Sequence, residues 1–222
     1  MTTDNAQLNN TVTVYVSTFD RDLVVGDVTP AARNEMIQRC SNVLTKQQSY
    51  CVWKLLDYAL SDCYGYGVES CDFTTDNGKW NCSNGVYFSL THCNNVVAVA
   101  VGNHAVGVDI QAVASFARRV NDDGFVERIL TDAEQALLLD VAAERKMETL
   151  AVMWTQKESI FKMQGSGTFV PVSIDTTDAK FRPQVGDEGL VHSKIVSING
   201  DSYALSVAAC VPSKLKLAQV NI

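Results

Sequence analysis

Met147-Glu148-Thr149-Leu150-Ala151-Val152-Met153-Trp154-Thr155-Gln156-Lys157-Glu158-Ser159-Ile160-Phe161-Lys162-Met163 is the longest helical pattern in the chain, and what flanks it decides the fold. At about 100° per residue, Leu150, Met153, Trp154, Lys157 and Phe161 share one stripe. Gly165 and Gly167 end this helix. The chain then returns to strand candidates at 168–174, 190–198 and 202–210, the last two joined as a hairpin across Asn199-Gly200-Asp201. The first half runs in a similar order. Residues 11–18 alternate as a strand, 48–63 read as a mostly buried helix stopped by Gly65 and Gly67, and 86–91, 95–101 and 105–111 are further strands. Pro30 opens a helix over roughly 31–44. Asn77-Gly78 and Asn84-Gly85 mark turns. Residues 121–130 suggest a short helix, and the capping box Thr131-Asp132-Ala133-Glu134 starts another through the apolar run 136–141. Helix followed by hairpin in each half predicts an α+β fold. Two similar α/β halves, residues 1–104 and 105–222, are expected to form a pseudo-dimer, and an active site is expected in the cleft between them. No linker separates the halves, so a single unit and a monomer are expected.

The 222 residues carry 18 basic against 25 acidic side chains, a net charge of −7, which disfavours nucleic acid as a partner. A cleft can still be locally basic. The start of the chain has no basic and apolar leader, and no apolar run is long enough to span a membrane, so a cytoplasmic location is expected. Seven cysteines, an odd number without a C-x-x-C, favour neither a disulfide framework nor a structural zinc; they read as small apolar residues in a reducing compartment. A thiol nucleophile at Cys93 paired with His92 is disfavoured, because neighbours on a strand point to opposite faces.

Three segments carry the chemistry. On the long helix, Lys157 interrupts an apolar stripe, which is costly unless the charge is paired or reaches water. Glu158 lies at the stripe's edge and Lys162 one turn beyond it. They are either a surface pair or a carboxylate and an ammonium facing one anionic ligand and its metal. In Gly107-Val108-Asp109-Ile110-Gln111, Asp109 and Gln111 share one face of a short apolar strand. That face is either solvent-exposed or supplies a hard oxygen ligand for Mg²⁺. Phe88-Ser89-Leu90-Thr91-His92 ends in one of three histidines; His104 and His192 read as structural.

Together these segments resemble the 4′-phosphopantetheinyl transferase family in its longer, two-halved form, which activates carrier domains of peptide and polyketide synthases. G-K-W at 78–80, F-S-L-T-H at 88–92, G-V-D-I-Q at 107–111 and W-T-Q-K-E-S-I-F-K at 154–162 stand in the family's order. The resemblance implies transfer of the phosphopantetheine arm of coenzyme A to a carrier serine. It implies Mg²⁺, with Mn²⁺ as the alternative, held by Asp109 and Glu158, with Glu158 or a metal-bound water as base. Lys162 would contact the phosphates and leaving group. Thr91, His92 and Lys79 would contact the coenzyme, as would Lys46 and Arg33 near its 3′-phosphate. Gln111 stands where the family often has a second acid, which implies a weaker metal site. Glu134 also matches a family acid, but its capping role suffices to explain it. The implied acceptor is an acidic helical carrier protein docking near Arg118 and Arg119 in 112–128. A fatty-acid carrier synthase and a non-catalytic relative that binds coenzyme A or a carrier are the alternatives.

Overall fold

The computed structural model describes residues 10–76, 79–165, 167–177 and 189–221. The first half holds β1 (Thr11–Thr18), α1 (Ala31–Arg39), α2 (Val43–Tyr64), the small hairpin β2 (Phe73–Asp76) and β3 (Lys79–Cys82), then β4 (Tyr87–Cys93) and β5 (Val96–Gly102). The second holds β6 (Val106–Ala112), α3 (Asp123–Ile129), α4 (Asp132–Asp140), α5 (Ala143–Gln164), β7 (Gly189–Ile198) and β8 (Asp201–Gln219).

The two halves repeat one topology: a strand, a long helix, then a hairpin whose second strand lies antiparallel to the first strand. β5 pairs with both β4 and β1, and β8 pairs with both β7 and β6. One sheet runs β4-β5-β1-β8-β6, with β7 also on β8. Alternation along each strand sorts the side chains. Val12, Val14, Ala98 and Ala100 meet Val108, Ile110, Leu205 and Val207 in a core between the halves. Tyr15 and Val99 face α2 on the other side, while α5 covers the second half through Leu150 and Ile160.

Local signals set most boundaries. Asn42 caps α2, its side chain accepting from the Thr45 amide at 2.9 Å, so the helix begins at Val43 and the expected helix over 31–44 splits at 40–42. Pro30 is the residue before α1 rather than its first turn. The capping box at Thr131 forms in full. α5 starts four residues earlier than expected, at Ala143, and Gly165 ends it in the left-handed region at φ 78°. The Asn77-Gly78 turn lies outside the described residues.

Two expectations fail for non-local reasons. Residues 168–174 are not a strand: they form a 3₁₀ turn at Pro171–Ser173, and the Pro171 and Ile174 carbonyls accept from Lys157 Nζ instead of a neighbouring strand. β8 does not stop at 210. Its far end, Lys214–Gln219, pairs parallel with β1. Pro212, which lacks an N–H, falls between the stretch paired to β6 and the stretch paired to β1, where no ladder bond to either needs it.

Candidate active site

The sheet curls until β4 lies alongside β6, and side chains stitch the two together. The Val108 amide donates to Ser89 Oγ at 3.0 Å, and the Ala112 amide to Cys93 Sγ at 3.3 Å. Thr91 donates to Asp109 Oδ1 at 2.8 Å. α5 crosses β6 closely because Gly107 has no side chain: a Cβ there would sit 2.5 Å from the Met163 amide nitrogen and closer still to the Ser159 carbonyl oxygen. This approach brings Glu158 and Lys162 to Asp109.

Asp109 is 2% exposed, so its face of β6 is not the solvent face. Its Oδ1 accepts from Lys162 Nζ at 2.7 Å as well as from Thr91, and its Oδ2 accepts from Gln111 Nε2 at 3.3 Å. Lys162 also donates to the Val108 carbonyl at 3.2 Å, and its Nζ lies 4.0 Å from Glu158 Oε2. Two acids 49 residues apart thus converge on one ammonium. Burial pushes the Glu158 carboxyl above the usual range; Lys162 counters this and Asp109 adds to it.

A cavity of about 370 Å³ opens beside this cluster, its lining including Arg33, Lys79, Trp80 and His92 from the first half and Phe161 and Lys162 from the second. Three of these residues, Arg33, Lys79 and Lys162, are cationic, His92 adds an imidazole, and no acidic residue lines the cavity among the described residues. The Arg33 guanidinium stacks over Trp53 at 5.2 Å, and its buried Nε has no hydrogen-bond partner. Desolvation lowers the pKa of both Arg33 and Lys79. His92 is exposed to solvent, yet desolvation and then the Lys162 charge pull its pKa below the ordinary value. Such a surface suits a phosphate-bearing ligand.

The residues expected at the site separate into three groups. Arg33, Lys79, His92 and Lys162 line the cavity. Asp109, Glu158, Gln111 and Thr91 form the cluster behind it. Thr91 is buried and donates to Asp109, so it orients the carboxylate. Lys46, in the first turn of α2, is not among the lining residues. Arg118 is exposed in the turns after β6, while Arg119 stacks over Phe116 and Phe125. All seven cysteines are free, and no described helix is long and apolar enough to cross a membrane.

Lys157, the charge that interrupts the apolar stripe, has a partner that no local sequence pattern reveals. It is fully buried against Glu134 at 2.6 Å. Glu134 also accepts from the Thr131 amide and from Thr176. This network ties α5 to α4 at the residue before Glu158. The signal available was the buried position of Lys157 on the stripe together with an acid at a helix start.

The donor set can be tested against a divalent cation. Among the described residues no three of His, Cys, Asp and Glu gather as a metal cluster. The site offers two carboxylates and the Gln111 amide, all hard oxygen donors, and a positive charge already sits between the two acids. That set fits Mg²⁺, which takes few protein ligands and fills the rest with phosphate and water.

Comparison with known proteins agrees with this chemistry. The family described as the 4′-phosphopantetheinyl transferase superfamily matches residues 105–208. A holo-[acyl-carrier-protein] synthase of Streptococcus equi subsp. zooepidemicus is 31% identical over 98 residues, covering 42% of this chain and 82% of that protein. The 4′-phosphopantetheinyl transferase gsp of Aneurinibacillus migulanus is 27% identical, covering 40% of this chain and 35% of that one. The transferase AcpT of Escherichia coli K12 is 25% identical, covering 62% and 63%. The chain therefore spans less than two thirds of the length of these last two relatives.

Proposed function

Since the chain belongs to the 4′-phosphopantetheinyl transferase superfamily, we propose that it moves the 4′-phosphopantetheine arm of coenzyme A onto a serine of an apo carrier protein, releasing 3′,5′-ADP. The observation that carries this is the meeting of Asp109, Glu158 and Lys162 beside a basic cavity formed by both halves.

In this reading the serine hydroxyl attacks the β-phosphate of the coenzyme, and the bond to 3′,5′-ADP breaks. Such transfer depends on position and charge neutralisation more than on covalent help. Arg33, Lys79 and His92 hold the phosphates. Lys162 offsets charge building on the leaving phosphate. Glu158, beside the reacting phosphate, takes the serine proton as general base. Asp109 and Glu158, with Gln111 beside them, would hold Mg²⁺ (or Mn²⁺), which when bound supplies Lewis-acid neutralisation of the diphosphate. Thr91 and Gln111 keep the Asp109 carboxylate in one orientation.

The acceptor is an acidic helical carrier approaching near Arg118. A peptidyl or polyketide carrier is preferred over a fatty-acid carrier because the segments at 78–80, 88–92, 107–111 and 154–162 resemble the longer, two-halved family form. The protein works as a monomer, its two halves completing one cavity. Mass spectrometry of apo carriers of both kinds, incubated with coenzyme A, Mg²⁺ and this protein, tests the proposal. A mass gain equal to the pantetheine arm on the peptidyl or polyketide carrier supports it, while a gain on the fatty-acid carrier alone reassigns the acceptor. No gain on either leaves a binding protein without transfer.

A further inference from the structure

The β2–β3 hairpin belongs to the first half, yet one of its side chains is tied to the end of the helix that carries Glu158 and Lys162. Lys79 Nζ donates to the backbone carbonyl of Lys162 at 2.8 Å. That carbonyl lies in the last turn of α5, where helix carbonyls lack partners within the helix. Gly165 closes the turn in the left-handed region, its amide returning to the Phe161 carbonyl at 3.1 Å. It also leaves room for the lysine, since a Cβ at Gly165 would sit 3.0 Å from Lys79 Nζ and 3.4 Å from its Cδ. The ammonium has three protons, and the same Lys79 lines the basic cavity. Trp80, its neighbour, is buried against Trp53 with ring centroids 5.3 Å apart, which anchors the strand from which Lys79 projects.

We propose that Lys79 is a positioning residue for Lys162: it caps the last turn of α5 across the interface between the halves, and through its remaining protons couples the placement of Lys162 to an anion in the cavity. This rests on the proposed transferase reading for its kinetic consequence but not for its structural one. A lysine that served only to grip the ligand would change affinity for coenzyme A. A lysine that also holds the end of α5 changes how well Lys162 meets the leaving phosphate once coenzyme is bound.

The test compares Lys79→Met and Lys79→Arg with the wild-type protein in two measurements. The first is amide hydrogen exchange of the ligand-free protein, followed by mass spectrometry on peptides covering 158–165. The capping role predicts faster exchange there in Lys79→Met, with Lys79→Arg near wild type and with peptides from β6 unchanged. The second is steady-state transfer at varied coenzyme A. It predicts a fall in kcat of about 10- to 100-fold at saturating coenzyme for Lys79→Met, in line with the cost of misplacing a catalytic group by an ångström or less, and partial recovery in Lys79→Arg. Unchanged exchange in 158–165, or a rise in KM with kcat intact, overturns the proposal. Exchange that changes as expected in a protein showing no transfer upholds the cap and instead counts against the transferase reading. Lys79→Arg guards against a variant that fails to fold.

Discussion

Replacing Gly107 with alanine is the sharpest perturbation the structure offers. The added methyl would lie 2.5 Å from the Met163 nitrogen and 2.9 Å from the Ser159 carbonyl carbon, both backbone atoms of α5. No side-chain rotation relieves such a contact. The Ser159 carbonyl oxygen would lie closer still, and ordinary van der Waals separation of carbon from a heavy atom is about 3.5 Å, so strand and helix must part by more than about 1 Å. Overpacking of this kind costs about 1–3 kcal/mol. For a chain of this length each kcal/mol lowers Tm by roughly 2–4 °C, so a fall of about 2–12 °C is expected. The same shift opens the 2.7 Å Lys162–Asp109 contact. A displacement near 1 Å at a reacting centre costs about 100-fold in rate. Circular dichroism melting and the carrier-modification assay measure the two effects on one preparation. A Gly107→Ala protein with wild-type melting temperature and rate would refute the claim that close contact between β6 and α5 builds the site.

Asp109→Ala and Glu158→Ala should each abolish transfer, with far-ultraviolet circular dichroism unchanged; full activity in either contradicts their place in the site. Gln111→Glu should lower the Mg²⁺ concentration needed for half-maximal activity, because it adds a third carboxylate beside Asp109; no change would place Gln111 away from the ion. Glu134→Gln should destabilise by about 3–5 kcal/mol in urea unfolding, since it strands the buried Lys157 ammonium, whereas Glu134→Leu with Lys157→Met should cost less. His92→Gln has a pH signature. The folded pKa of His92 lies below its unfolded value of 6.5, so the stability it contributes is present above that value and lost as pH falls through it. The variant should therefore gain in Tm relative to wild type between pH 7 and pH 5; a constant difference would reject the shift.

The legible parts of the fold were those written in neighbouring residues. The Thr131 capping box, the glycine stop at Gly165 and the hairpin across Asn199-Gly200 each depend on a few adjacent positions, and each formed. The stretch 168–174 looked like a strand because its composition is apolar, but its carbonyls serve a lysine 14 and 17 residues earlier in the chain. The length of β8 was hidden because its last six paired residues answer to β1, at the opposite end of the sequence. At the site, helix and strand periodicity placed Glu158, Lys162 and Asp109 on usable faces. Spacing alone could not reveal that Thr91 binds Asp109, that Lys79 reaches the end of α5, or that Lys157 turns away to Glu134. Those contacts exist only once β4, β6 and α5 are packed together.

The most direct measurement is calorimetric titration of Mg²⁺ into the protein saturated with coenzyme A, alongside Asp109→Ala and Glu158→Ala. Joint holding of the ion by the two acids predicts one binding event in the wild type that disappears in both variants. Equal Mg²⁺ binding by all three proteins would contradict the account.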